Sequence, residues 1–134
     1  MRDHRNLRIF TMADQLVLDV YMQTASFPRH EVFGITSQMR RAAVSIASNI
    51  VEGCARETPG DYLHFLGIAY GFSKEPEYQA SVANRLGYVP DDAAILTSCQ
   101  TMSRTLNAFI AGLKKKIADA RKRGEGDSGL KPKA

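Results

Sequence analysis

The sequence is poor in the residues from which small proteins build metal sites and disulfide frameworks. Of its 134 residues, none is tryptophan, two are cysteine and three are histidine. Cys54 and Cys99 each lack a second cysteine or histidine at ligand spacing, and His4, His30 and His64 are dispersed along the chain. The pattern therefore predicts no zinc site, no disulfide framework and no cofactor.

Long apolar runs are also missing. No stretch approaches the ~20 apolar residues that a membrane-spanning helix requires. The first residues, MRDHRNLRIFTM, lack the apolar segment of a signal peptide. Two isolated cysteines are typical of small core residues in a reducing compartment. We therefore expect a cytoplasmic protein that does not associate with membranes.

What the sequence does contain is a helical apolar pattern, repeated four times. Apolar residues recur at alternating spacings of three and four, and Phe27-Pro28 and Thr58-Pro59 mark breaks between the repeats. Short connections favour antiparallel neighbours, so the pattern predicts an all-α, up-down four-helix bundle. The predicted helices cover about residues 7–26, 31–56, 59–86 and 91–121. The predicted bundle domain covers residues 1–123, and residues 124–134 are predicted to form a disordered basic tail.

Pro76 lies inside the third predicted helix. A proline there cannot donate to the carbonyl of Phe72 and crowds it, which costs about 3 kcal/mol in a regular helix. The sequence predicts a kink or a local wide turn between Phe72 and Pro76, unless the position simply tolerates proline. Gly67 and Gly71 lie four residues apart. Either they form a surface for close helix packing, or the helix merely tolerates glycine at these positions.

The segment QMRRAAVSIASNIVEG, residues 38–53, has an unusual helical surface. At about 100° per residue its polar side chains, except Arg40, share one arc, and the remaining apolar arc is wider than the stripe of about 100° that one bundle core requires. Either another copy of the chain covers the excess, or the helix is buried centrally within one chain. The predicted stripe for oligomer contacts or structural hydrogen bonds comprises Gln38, Arg40, Arg41, Ser45, Asn49, Glu52, Arg56 and, from the third helix, Glu75.

The serines of this helix do not indicate catalysis. No histidine lies in the helix, and a hydroxyl without a paired base or an oxyanion loop is a poor nucleophile. We therefore predict no catalytic residue and no enzymatic activity. A buried carboxylate requires a partner, so we predict that Arg40 or Arg41 pairs with Glu75 or Glu52, within or between subunits.

Positive charge is concentrated at the two ends of the chain. Residues 11–113 carry a net charge of −3, whereas residues 1–10 and 114–134 together carry +7. Basic ends can bind the phosphates of RNA or DNA. Alternatively, the C-terminal cations complement a helix dipole and keep the protein in solution. The candidate nucleic-acid contacts are Arg2, Arg5, Arg8, Lys114, Lys115, Lys116, Arg121, Lys122 and Arg123.

Three segments, FPRHEVFGITSQMRRAAVSIASNIVEGCAR, YLHFLGIAYG and NRLGYV, resemble a bacterial family of four-helix bundles encoded by intervening sequences in 23S ribosomal RNA genes. The resemblance covers about residues 7–120. The sequence departs from the family pattern at Pro76, where the pattern has an apolar residue, but it retains Glu75. The matching positions of the first segment are Phe27, Pro28, Glu31, Gly34, Gln38, Arg40, Arg41, Ala42, Ser45, Asn49, Glu52, Gly53 and Arg56.

The resemblance implies a cytoplasmic, non-enzymatic bundle that assembles as a ring-like homopentamer. A distant relative is an accessory subunit of a retroelement reverse transcriptase and binds both the enzyme and RNA. Two functions therefore stay open at this stage. One is an oligomeric scaffold that binds nucleic acid, RNA above all, through its basic ends. The other is an adaptor that binds a protein partner such as a reverse transcriptase.

Overall fold

Four helices make up most of residues 2–124, the part of the chain that the computed structural model describes. The helices are α1 (Arg8–Thr24), α2 (Ile35–Cys54), α3 (Pro59–Arg85) and α4 (Ala94–Lys122). Two single 3-10 turns, His4–Asn6 and Arg29–Glu31, precede α1 and α2, and no strand occurs in the described residues. The predicted all-α architecture with four helices is confirmed. Nearly all of the predicted tail lies outside the described residues.

The helix boundaries follow local chemistry. The Thr58 hydroxyl accepts a hydrogen bond from the backbone N–H of Asp61 at 3.1 Å, so α3 begins at Pro59 as predicted. In contrast, α2 begins four residues later than predicted, because the turn Arg29–Glu31 is separate and Gly34 adopts φ −107° and ψ −124°. α4 begins three residues later than predicted, since Pro90 starts a turn that ends at Ala93.

Contacts between α1 and α2 pair the start of one helix with the end of the other. Arg40, near the start of α2, donates from Nε to Thr24 Oγ1, at the end of α1, at 2.8 Å. The backbone N–H of Arg2, just before α1, donates to the carbonyl of Cys54, the last residue of α2, at 3.0 Å. These two helices are therefore antiparallel.

The α2–α3 and α3–α4 pairs follow the same rule. Gly53, near the end of α2, lies against Tyr62 and Phe65, near the start of α3. The ring of Tyr62, near the start of α3, lies 6.5 Å from that of Phe109, in the second half of α4. Asn84, at the end of α3, donates to Asp91, just before α4, at 2.8 Å. Because α1 to α4 alternate in direction, the start of α1 and the end of α4 lie at the same end of the bundle.

The wide apolar arc of α2 is buried within one chain. Met39, Ile46 and Ile50 are fully buried, and α2 packs against both α1 and α3. Val44 is an apolar residue of α2 that stays 39% exposed. The structure supports the alternative of a centrally buried helix, so the width of the arc no longer argues for self-association. Self-association itself stays a prediction.

α3 continues as an α-helix through Pro76, which is buried. The predicted wide turn does not occur, and a kink stays a prediction. The Ser103 hydroxyl of α4 donates to the carbonyl of Ser73 at 3.1 Å, one residue after the Phe72 carbonyl that Pro76 cannot bond. This buried hydrogen bond ties the proline-containing turn to α4.

Close helix packing occurs at a glycine other than the two predicted. Gly67 and Gly71 are exposed, and a Cβ added at either would meet no other atom within 4 Å. At Gly53 of α2, an added Cβ would lie 3.1 Å from Phe65 Cβ and 3.2 Å from Tyr62 Cδ1 of α3. The backbones of α2 and α3 therefore approach closely at Gly53, where only a hydrogen fits without rearrangement.

Candidate nucleic-acid interface

A tyrosine from the segment after α3 stabilises the turn between α1 and α2. Tyr88, after α3, donates its hydroxyl to Glu31 Oε2 at 2.8 Å, which raises the pKa of Tyr88, and its ring lies 5.3 Å from that of Phe27. A Cβ at Gly34 would lie 2.5 Å from Glu31 Oε1, so glycine leaves room for this carboxylate. These residues, which the sequence motifs include, therefore stabilise the turn.

Arg40 of the predicted stripe closes the end of α1. Its guanidinium lies 4.6 Å from the ring centroid of Tyr21, and it donates to the Tyr21 carbonyl at 3.3 Å as well as to Thr24. Basic side chains commonly bond the last carbonyls of a helix in this way. Arg40 is thus engaged within the chain.

Three further side chains of the predicted stripe also have partners close by. Asn49 donates its amide to the carbonyl of Ser45 at 2.8 Å. Arg56, just after α2, forms an ion pair with Glu52, and its guanidinium lies 4.6 Å from the ring centroid of Phe65 in α3. This part of the stripe therefore forms local contacts within the chain.

Arg41 and Glu75 face a common pocket of about 330 Å³ between α2 and α3, together with Gln38 and Gln79. Within residues 2–124, no ion pair joins Arg40 or Arg41 to Glu52 or Glu75. The predicted pairing is therefore not formed inside one chain, and its formation between subunits stays a prediction.

Arg2, a candidate contact for nucleic acid, is used as a helix cap. Its Nη1 donates to the carbonyl of Arg56 at 2.7 Å, its backbone N–H bonds the Cys54 carbonyl, and its guanidinium lies 4.2 Å from the ring centroid of Tyr62. These contacts satisfy carbonyls at the end of α2. A guanidinium committed to them is poorly placed to reach phosphate.

The other two N-terminal arginines differ from each other. Arg5 forms an ion pair with Asp3 at 2.9 Å, and its hydrogen bonds lower the pKa of the Asp3 carboxyl. The two charges cancel locally. Arg8, the first residue of α1, is exposed. Of the predicted N-terminal cluster, Arg8 is the residue best placed to add positive charge at the surface.

The C-terminal half of the candidate interface is more uniform. Leu113, Ile117 and Ala120 of α4 are buried, and the cations at 114–116 and 121–123 are exposed. Residues seven apart share a helix face about 10.5 Å apart, so the cations form three short columns. Together with Arg8, they lie at one end of the bundle. We call this group the basic end: Arg8, Lys114, Lys115, Lys116, Arg121, Lys122 and Arg123.

Sequence reasoning missed a groove between α1 and α4. A cavity of about 390 Å³ opens there, bordered among others by Leu16, Asp19, Ser98 and Met102. The available signal was a charge bias, because residues 9–28 and 86–103, which include its walls, contain aspartate but no lysine or arginine. The bias was hidden by the positive charge of the chain as a whole.

No group of three or more His, Cys, Asp or Glu side chains within residues 2–124 is arranged to hold a metal ion. None of the helices described has the length and apolarity needed to cross a membrane.

Comparison with known proteins identifies the fold. The family model described as 23S rRNA-intervening sequence protein matches residues 5–108. A crystal structure of a protein of unknown function from Bacteroides thetaiotaomicron, assigned to the S23 ribosomal protein family, is similar with a TM-score of 0.67 and 20% identity. The similarity covers 76% of this chain and 97% of the other. No curated protein sequence matches the chain significantly.

Proposed function

Because the chain belongs to the family of 23S rRNA-intervening sequence proteins, we propose that it is a non-enzymatic scaffold that binds RNA through its basic end. The observation that carries the proposal is the antiparallel packing, which brings Arg8 to the same end of the bundle as five cations of α4 and Arg123 just after it. Arg2 and Arg5 are left out of this interface, because Arg2 donates to the Arg56 carbonyl and Arg5 pairs with Asp3.

The chemistry of the basic end favours phosphate over base recognition. Its lysines are exposed and carry no aromatic neighbours on which bases could stack. Cations near the end of α4 also complement the helix dipole, typically by a fraction of a kcal/mol, which does not prevent them from meeting phosphates. Binding should therefore tolerate many sequences and weaken steeply with salt.

The experiment compares two double variants of equal charge. Lys115→Ala with Lys122→Ala removes one column of the basic end, whereas Arg29→Ala with Arg85→Ala removes two exposed cations at the opposite end of the bundle. The affinity for a short RNA is measured by fluorescence anisotropy over a range of salt concentrations. We expect the slope of log K against log salt to lose about 0.7–0.9 per lost contact in the first variant alone. Equal effects of both variants would contradict the proposal.

We also propose self-association, since the resemblance implies a homopentamer. The pocket that holds Arg41 and Glu75 is the candidate contact, because both side chains are exposed and neither forms an ion pair within residues 2–124. Arg41→Ala should lower the mass measured by light scattering, and Arg104→Ala, an exposed cation on α4, serves as its control. An unchanged mass in the first variant would remove Arg41 from the interface.

A second candidate function is an adaptor for a protein partner such as a retroelement reverse transcriptase. It is favoured by Phe33, which is 95% exposed in the turn before α2, beside the half-exposed Val32. Phe33→Ala should reduce copurification with a coexpressed reverse transcriptase, while Tyr78→Ala, also exposed, should not. Retained copurification in the Phe33 variant would exclude this turn from the contact.

A further inference from the structure

The groove between α1 and α4 has an apolar floor and a hydroxyl-bearing rim. Methionine and leucine side chains form its apolar part, and methionine adapts easily to ligands of irregular shape. The cavity measures about 390 Å³ and is open to solvent on one side. Its lining consists of Thr11, Met12, Gln15, Leu16, Asp19, Thr97, Ser98, Thr101 and Met102.

The groove continues toward the start of α4. A second cavity of about 340 Å³ shares Asp19 and Ser98 with the first and extends to Met22 and Ile95. From Thr11 to Met22 the two cavities follow α1 for about 16 Å, which is the length of three helical turns. We call the two together the α1–α4 groove.

Charge along the α1–α4 groove has one sign. Residues 9–28 and 86–103 contain Asp14, Asp19, Asp91 and Asp92 but neither lysine nor arginine, in a chain of net charge +4. Asp19 lies within the groove, half-buried, and Gln15 holds its carboxylate through an amide N–H at 2.9 Å. An oriented carboxylate beside an apolar floor matches a ligand that is both cationic and apolar.

We propose that the α1–α4 groove binds a basic amphipathic helix of a protein partner. Such a helix lays apolar residues spaced i, i+3, i+4 and i+7 into a groove of this length, and its flanking Lys or Arg side chains meet Asp19. This goes beyond RNA binding at the basic end, because it assigns a different surface and a partner of opposite charge.

Residues 2–124 do not themselves offer the complementary helix. Its own cation-rich segment lies in α4, where Leu113, Ile117 and Ala120 are buried in the bundle and cannot enter the groove of a second copy. A small organic cation would fill only part of a groove that extends over three turns of α1. A helical segment from another protein fits both the length and the charge.

The test uses a fluorescent peptide of about 14 residues, built from leucine and lysine with leucines on one helical face. Binding is measured by anisotropy. Asp19→Asn, which keeps the shape but removes the charge, should weaken binding about fivefold. Thr101→Trp, at an exposed position on the groove rim, should fill the groove and weaken binding at least tenfold. Glu57→Gln, an exposed carboxylate in the α2–α3 turn, is the charge-matched control and should leave binding unchanged.

Three results would overturn the proposal. The first is equal binding of a peptide with the same composition but scrambled leucines. The second is equal binding to the Asp19 and Thr101 variants and the original protein. The third is a change in the solution mass of the Thr101 variant, which would mean that a second copy occupies the groove. The RNA test stands apart, since Lys115→Ala with Lys122→Ala should leave peptide binding intact and Asp19→Asn should leave RNA binding intact.

Discussion

The α1–α4 seam, which we call the open seam, differs from the Gly53 end of the α2–α3 seam, which we call the closed seam, in how closely the helices approach. Farther along α2 and α3, a pocket of about 330 Å³ opens beside Arg41 and Glu75. At the α2–α3 seam, Gly53 brings the backbones so near that an added Cβ would lie 3.1 Å from a side-chain atom of Phe65. At the α1–α4 seam, a cavity of about 390 Å³ separates side chains such as Met12 and Met102. Small residues permit close approach, whereas long flexible side chains beside hydroxyls leave space.

The polar residues of the two seams have different roles. Those near the closed seam stabilise the fold, whereas those along the open seam face a surface that can bind a ligand. Near the closed seam, the conspicuous motif residues Arg56 and Glu52 are paired within the chain. Along the open seam, Asp19 interacts with Gln15 of its own helix and faces a groove. Substitutions at the closed seam should therefore change stability, and substitutions along the open seam or at the basic end should change binding.

The largest effect is expected at Gly53. Gly53→Ala places a methyl group 3.1 Å from Phe65 Cβ and 3.2 Å from Tyr62 Cδ1, so these side chains must shift, and it should lower the free energy of unfolding by about 2 kcal/mol. Gly67→Ala is the matched control, because Gly67 is exposed in α3 with no atom near an added Cβ. It should raise stability by about 0.5–1 kcal/mol through helix propensity. Urea denaturation measures both, and a neutral Gly53 variant would show that the seam is not tight.

The next effect concerns Arg2, which crosses the end of the closed seam. Arg2→Ala removes the hydrogen bond to the Arg56 carbonyl and the stacking on Tyr62, and should cost about 1.5 kcal/mol. Arg5→Ala removes only an exposed ion pair with Asp3 and should cost below about 0.5 kcal/mol. Thermal denaturation distinguishes the two. RNA affinity should be equal in both variants, and a selective loss in the Arg2 variant would return Arg2 to the nucleic-acid interface.

The architecture could be predicted because apolar periodicity records which residues are buried. The same periodicity does not record which neighbour buries them, so the wide arc of α2 suggested self-association although α1 and α3 cover it. The start of α2 was misplaced because the geometry of Gly34 depends on Glu31 and Tyr88, and Tyr88 is distant in sequence.

The candidate sites were predictable where local sequence decides exposure. The cations of α4 follow one another at exposed helical positions, so the cluster could be found directly. Arg2 could not be placed, since its partners Cys54, Arg56 and Tyr62 lie more than fifty positions away. The groove was missed because each wall, taken alone, has the pattern of an ordinary amphipathic helix.

A smaller effect is expected at the turn before α2, which sets the position of that helix. Tyr88→Phe removes the hydroxyl that donates to Glu31 and should cost about 1 kcal/mol. Tyr78→Phe makes the same chemical change at a tyrosine that is 65% exposed on α3, and it should be neutral. Equal stability of the two variants in urea denaturation would mean that the Tyr88–Glu31 hydrogen bond does not support the turn.

The smallest effect tests whether the cavity between α1 and α4 is closed off from the bundle core. Cys99, next to Ser98 in α4, and Cys54, at the end of α2, are each 1% exposed, and burial raises the pKa of both, that of Cys99 to about 12. Both thiols should therefore resist a thiol reagent in the folded protein and react fully in urea. Faster reaction of Cys99 would show that the groove reaches the core.

The same thiols make stability depend on pH with a defined sign. Their pKa is raised in the folded state above the ordinary value of 9.0, so their contribution to stability is complete well below pH 9 and is lost as pH rises through that value toward the folded pKa. For Cys99, whose folded pKa is about 12, ionisation in the unfolded chain should lower the free energy of unfolding by about 0.4 kcal/mol between pH 8 and 9. Cys99→Ala should remove this part of the decline while lowering stability at every pH, because it leaves a small cavity. A decline that Cys99→Ala leaves intact would mean that this thiol reaches water through the open seam and ionises equally in both states.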